Sequence, residues 1–538
     1  MSNPVPVTPD RKATAELLLI SPPAPPSASS SRKRRITPAA EAASPKRIAI
    51  VTGVGAVSPL VGDVRPAPLL RPFSWFRTTE LAHIDHRLPL HPITPSPDSS
   101  FDDTAAPDSY MIDPSNQGTV TGGLQVLRTA RHIILPFDLR DKPGDVLDPG
   151  KRELVKSIFP ETTGLACDGF FITLQLRTLP PKPWPLTIGG VPLYLTLAIG
   201  SDDPFPQGTP VGRRNGAIAA DRHGRDVEDW EPLFHIIKTH FEQLKVPITE
   251  VIFWGSHFTI VLKHRDVDMA KVPCQAANLR CVYVFDDEMG RPSAPQARRL
   301  SDPTMGNPDT SEYETPQPGL RVSSSHPPSN PDSFFSTTSG VLLEDSVGNK
   351  YMTVASHGFP AECGTDFFHA LPGNGRKIGE LVMEVSHTDV ALVKLRDTET
   401  FSNTTFENGE NTQPIQLNRL GSVKGRQRFE LVCLDSPDTG LLDGSFMATS
   451  YQAIPSDGNG PSQQWVLTSW IYRGQGSGQD LPDGICGSSI WNEEGEVLGF
   501  FRYAPKDGVM QNWCAGIAAD ELIDRGFTLV PTSEGAQR

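Results

Sequence analysis

The stretch LPDGICGSSIWNEEGEVLGFF, residues 481–501, places a cysteine between glycines at the mouth of a β-hairpin. It reads as a loop, a tight turn from Gly484 to Gly487, a strand, a second turn around Asn492 to Gly495, and a second strand. Glycine at 484 and 487 allows backbone angles and close approaches that other residues resist. Two explanations stay open for Cys486. It is a catalytic thiol, or it is a small buried side chain at a turn, a common fate of cysteine.

Outward from this hairpin, residues 334–530 carry short apolar runs with turn signals about every 8 to 12 residues, the spacing of an all-β barrel or sandwich. Strands are expected over residues 339–343, 351–355, 378–385, 390–395, 429–434, 465–472, 489–491 and 497–503, with a short helix over 520–525. Upstream, residues 301–333 read as a Pro/Ser-rich linker, and residues 66–300 as an α+β domain of unassigned role. Within that domain, Leu233, Ile236, Ile237, Phe241 and Leu244 fall on one helical face, with Asp229 as its cap. Residues 250–254 and 257–263 form a hairpin about Gly255 and Ser256, and residues 281–285 another strand. Residues 1–65 have the composition of a disordered tail, and residues 531–538 of a short one.

Bulk properties narrow the function classes. The 538 residues include 52 prolines, about twice the usual share of roughly 5%. A formal net charge of -14 argues against general nucleic-acid binding. No apolar run approaches the roughly 20 residues that cross a bilayer, and the N-terminus lacks a signal-peptide core. Seven cysteines, scattered and odd in number, suit a reducing compartment, so a cytoplasmic or nuclear location is expected. With no CxxC pair, phosphate loop or dinucleotide fingerprint, no metal and no cofactor are expected. Arg32, Lys33, Arg34 and Arg35, followed by Lys46 and Arg47, could be read by a nuclear-import receptor or could be a solvated charge run.

Three pieces carry chemistry: TVASHGF at 353–359, HTDVALVKL at 387–395 and GICGSSI at 484–490. Acyl transfer through a nucleophile needs a base, a carboxylate to orient it and backbone N–H groups aimed at the oxyanion. His357, Asp389, Cys486 and the glycine-lined turn offer all of these.

These pieces, in the order His, Asp, nucleophile, resemble the chymotrypsin-like (PA clan) peptidase fold. Residues 353–357 are similar to its Thr-Ala-Ala-His segment with one residue more. Residues 389–395 match its Asp-Ile-Ala-Leu-Leu-Lys-Leu strand, and residues 484–488 its Gly-Asp-Ser-Gly-Gly turn. Cysteine at the nucleophile position makes the turn similar to that of viral 3C-like cysteine peptidases. The resemblance implies a C-terminal trypsin-like double barrel that hydrolyses peptide bonds in a peptide or protein substrate. It implies a Cys486–His357–Asp389 triad, with the oxyanion held by the N–H groups of Gly484 and Cys486. Substrate would lie along Phe500, Phe501, Arg502 and Tyr503, with Asp480 at the specificity pocket or simply in an exposed turn.

Departures from the family pattern qualify this. Ile485 replaces the acidic residue used in zymogen activation, and no histidine in residues 500–503 supports a glutamine preference. His387, Cys363, Ser488 and Ser489 are rival site residues. The other reading is a catalytically silent barrel of the same fold that binds peptides or proteins.

Overall fold

The computed structural model describes residues 127–128, 131–197, 204–219, 230–291, 298–299, 309, 311–325, 333–358, 364–369, 375–385, 388–406, 413–454, 464–475, 481–482 and 484–531. The basic clusters at 32–35 and 46–47, the expected tails apart from Pro531, Asp229, Cys363, His387 and Asp480 lie outside them.

Alternating apolar residues produce the second of two barrels. Leu431–Ser436, Ser489–Asn492, Glu496–Tyr503, Trp513–Ala518, Gln464–Tyr472 and Gly440–Ile454 pair in that order, and the last strand pairs again with the first. Ring closure of this kind leaves no free edge in the barrel itself. The first barrel is built on a sheet in the order Ser333–Thr338, Arg321–Ser325, Asp366–His369, Arg376–Glu384, Val390–Leu395, Lys350–Ala355, Leu342–Glu344, with Thr528–Leu529 at its end. Val322, Met352, Val354, Phe367, Ile378, Leu381, Ala391 and Val393 form its core. The trypsin-like double barrel expected for the C-terminal part is present.

Two segments depart from the expected organisation. Arg321–Ser325 falls in the stretch read as linker, yet it is a barrel strand, with Leu320 and Val322 buried. Flanking prolines and serines mask so short an apolar alternation. The region read as a separate α+β domain also shares a sheet with the second barrel. Ile248–Phe253 pairs with Gly440–Ile454 on one side and with His257–Leu262 on the other. Leu279–Phe285 then runs parallel to His257–Leu262.

Glu231–Leu244 packs Leu233, Phe234, Ile237 and Phe241 inward. Ile236, expected on that face, is exposed, and Phe234 takes its place against Tyr451. Farther upstream, Thr162–Cys167, Ile172–Leu176, Val191–Thr196, Thr187–Ile188 and His132–Ile134 belong to a further sheet covered by helix Pro149–Ile158.

The strand expected over 339–343 is broken. Ser333–Thr338 and Leu342–Glu344 are separate strands, and Gly340 passes against Thr353. A Cβ at 340 would sit 2.1 Å from Thr353 Oγ1, so only glycine lets the chain cross there. The terminal helix is Asp520–Ile523.

Candidate active site

Register alone brings two of the expected residues together. Lys350–Ala355 and Val390–Leu395 are antiparallel, with Ala355 opposite Val390. The residues just past the end of one strand therefore lie beside those just before the other. Ser356 N–H donates to Asp389 O at 2.9 Å, and His357 N–H donates to Asp389 Oδ1 at 3.1 Å. The His357 ring then places Nδ1 2.8 Å from both carboxylate oxygens of Asp389. Asp389 adopts φ +63°, a left-handed conformation that aspartate tolerates better than most residues and that still costs free energy.

The turn holding Cys486 reaches this pair from the second barrel. Gly484 and Gly487 have φ of +92° and +91°, so both of the expected glycines occupy conformations other residues rarely take. The turn is clasped by the first barrel's strand Ser333–Thr338. Thr338 N–H donates to Cys486 O at 3.0 Å, Thr338 Oγ1 donates to Gly484 O at 2.7 Å, and Thr337 Oγ1 also donates to Cys486 O. Gly487 N–H donates to Phe501 O at 2.8 Å, and Ser488 N–H to Ile485 O at 3.1 Å. With the carbonyls of 484 and 486 held in this way, no acceptor among the described residues takes the N–H of Gly484 or Cys486. These are the two donors expected of an oxyanion site.

The thiol of Cys486 donates to Arg502 O at 3.0 Å and lies near enough to His357 to act on the charge of its ring. Burial works to lower the His357 pKa, but Asp389 and then Cys486 outweigh it and push the imidazole up to about 10. Burial likewise opposes ionisation of Asp389, yet His357 and Arg502 hold it down at about 2. Burial pushes the thiol of Cys167 up to about 11 and those of Cys281 and Cys514 up to about 12. An imidazole and a carboxylate thus form a hydrogen-bonded pair, with the sulfur of Cys486 beside the ring.

Other expectations divide. Phe500, Phe501 and Tyr503 were expected on a strand that pairs with substrate backbone and walls a pocket; the strand is present, and these three side chains are packed in the core, so any such pairing falls to the backbone. The alternation of a strand with both faces covered sends each ring inward. Ser488 and Ser489 are buried, and the Ser488 hydroxyl is taken up locally, its Oγ donating to Ile485 O at 2.7 Å. Ile485 is buried among apolar neighbours.

Arg502 was expected to wall a pocket and instead turns back toward the carboxylate, its Nε donating to Asp389 Oδ2 at 2.9 Å. The one available signal was a basic residue inside the apolar run GFFRY. A second missed feature is the buried pair Arg321–Asp438, 2.7 Å between Nη2 and Oδ2, which ties the two barrels together beneath Gly484. Glu430, Glu494 and Glu496 are close enough to share a cation, but Arg426 and Arg419 already pair with this group.

No family model and no curated protein matches the chain. Solved structures do. Part of the chain is similar to a glutamic-acid-specific serine protease, at 11% identity over 40% of this chain and 100% of that one, TM-score 0.29. Thermobifida fusca protease A matches at 12% identity, 40% and 98% coverage and TM-score 0.28. Cellulomonas bogoriensis chymotrypsin matches at 12% identity, 40% and 98% coverage and TM-score 0.26.

Proposed function

We propose that the protein is a peptidase that hydrolyses peptide bonds in a peptide or protein substrate through Cys486, His357 and Asp389. The observation that supports this most is the His357–Asp389 pair with the Cys486 sulfur brought beside it from the other barrel, on a turn whose Gly484 and Cys486 N–H groups have no acceptor among the described residues.

Cys486 attacks the scissile carbonyl as a thiolate while His357 holds the thiol proton. Asp389 keeps the ring oriented through Nδ1 and offsets its positive charge. The carbonyl oxygen gathers charge in the transition state, where the N–H groups of Gly484 and Cys486 receive it. One such donor is worth about 10²–10³ in rate. The tetrahedral adduct then collapses: His357 gives its proton to the leaving amine, the C–N bond breaks, and a thioester remains on Cys486. Water, deprotonated by His357, releases the acid and restores the thiol. The proposed setting is the reducing interior of a cell, where such a thiol stays free.

The competing reading, a silent peptide-binding barrel, keeps the fold without a reactive sulfur. A peptidyl electrophile selective for thiols separates the two at neutral pH. Stoichiometric modification of Cys486 in folded protein, lost in His357→Ala, is the expected result. A folded chain with Cys486 unmodified would favour the binding module.

A further inference from the structure

We propose that Arg502 is a positioning residue for the Cys486–His357–Asp389 row, and that Gln452, on the strand paired with Ile248–Phe253, holds it in place. This rests on the peptidase reading of the same row.

Asp389 is almost wholly enclosed, its side chain 7% exposed, so every partner of its carboxylate bears on how the charge is directed. Oδ1 accepts from the backbone and ring of His357 and from Ser356 Oγ at 3.3 Å; Oδ2 faces the His357 ring and accepts from Arg502 Nε. The guanidinium therefore fixes the far side of the carboxylate and stops it rotating away from the imidazole. It is fixed in turn: Arg502 Nη1 donates to Gln452 Oε1 at 2.6 Å, and Gln452 Nε2 donates to Tyr503 Oη at 3.3 Å.

Gln452 lies opposite Glu250 in the strand register. Glu250, fully buried, accepts from Ser450 Oγ at 2.5 Å, Trp470 Nε1 at 2.8 Å and Arg291 Nη2 at 2.5 Å. Two polar groups thus lie side by side across the strand pair, Arg291 with Glu250 upstream of the barrels, and Tyr503, Gln452 and Arg502 leading to the carboxylate. The charged or titratable groups facing Arg502 are Asp389 and His357 from the first barrel, Cys486 from the turn and Tyr503 beside it on the strand. Glu384 lies behind Ser356, with Glu250 and Arg291 beyond Tyr503.

A fixed cation next to this row favours the thiolate, so its removal should move thiolate formation to higher pH. Methionine keeps the length of the side chain without the charge. Lysine keeps the charge but cannot grip Asp389 and Gln452 together as the planar fork does.

The test is the rate of Cys486 alkylation by iodoacetamide against pH, read on the Cys486 peptide by mass spectrometry in the full-length protein. In Arg502→Met the midpoint should rise by roughly one pH unit, the order expected when one charge beside the Asp389 carboxylate is lost. In Arg502→Lys the midpoint should return to that of the unmodified sequence, while peptide hydrolysis recovers only in part. If Arg502→Met does not fold, Arg502→Gln removes the same charge while keeping a donor. An Arg502→Met or Arg502→Gln curve that overlays the unmodified one overturns the proposal. The parent reading fails separately: there, His357→Ala itself leaves the alkylation curve unchanged.

Discussion

The two barrels contribute to one site by different physical routes. In the first, a single strand pair does the work: Ala355 opposite Val390 leaves His357 and Asp389 as neighbours. In the second, Cys486 stands on a turn whose shape depends on contacts outside its own sheet, chiefly Thr337 and Thr338 of the first barrel and, beneath it, Arg321 with Asp438. The second barrel is also the one that the upstream residues join, through Ile248–Phe253 and the buried Glu250. Register is robust because a one-residue slip would turn the whole apolar face of a strand outward. A turn docked from across a cleft has no such safeguard, so its shape rests on its contacts with the other barrel.

That contrast can be tested by breaking each half. The largest effect on rate is expected in the first barrel: Asp389→Asn should keep the fold and lower kcat by about 10⁴, as loss of the orienting carboxylate does in such triads. Steady-state peptide hydrolysis measures it, and a change under tenfold would remove Asp389 from the mechanism.

In the second barrel, Gly487→Ala should cut activity by at least about 10² while Cys486 remains present. A Cβ there would lie 2.6 Å from Thr338 O and 2.7 Å from Ala355 N, and both are backbone atoms that cannot swing aside. Gly484→Ala should be milder, because the nearest atom, Arg321 Nη1 at 2.8 Å, ends a side chain. Equal losses in the two variants would contradict this ordering.

Stability should respond most to the upstream contribution. Arg291→Met leaves Glu250 buried without its cation and should cost about 3–5 kcal/mol in denaturant unfolding. A cost below about 1 kcal/mol would mean that the second barrel does not depend on that region.

The His357–Asp389 pair predicts a pH signature. His357 is raised from 6.5 to about 10 in the folded state, so the stability it contributes is fully present below pH 6.5 and disappears as pH rises through about 10. Asp389 is lowered from 3.8 to about 2, so its contribution is present above 3.8 and lost as pH falls through about 2. The stability advantage over His357→Gln should therefore shrink between pH 6.5 and 10; a constant gap across that window would contradict the pairing. The smallest effect is expected from Thr338→Val, which removes the hydroxyl bond to Gly484 O and should cost about 1 kcal/mol, with activity falling more than stability.

Much of this was legible in the chain itself. The segments around His357, Asp389 and Cys486 could be ordered and set on strand ends because period-2 alternation and glycine turns are local signals. The hairpin around Gly255 was readable for the same reason, and its strands are Ile248–Phe253 and His257–Leu262. Ile236 was misplaced because helical spacing allows either it or Phe234 on the buried face, and only the ring of Tyr451 selects between them.

By itself the sequence determined which residues stand at strand ends, where the chain must turn, and that a thiol, an imidazole and a carboxylate occur in peptidase-like order. Only the tertiary structure decided that Ile248–Phe253 extends the second barrel's sheet, that Arg321–Ser325 belongs to the first barrel, that Phe500, Phe501 and Tyr503 point inward, and that Arg502 grips Asp389. The physical reason is separation along the chain. Local pattern sets the direction of a side chain relative to its own strand, whereas its partners depend on which distant edge or face closes over it.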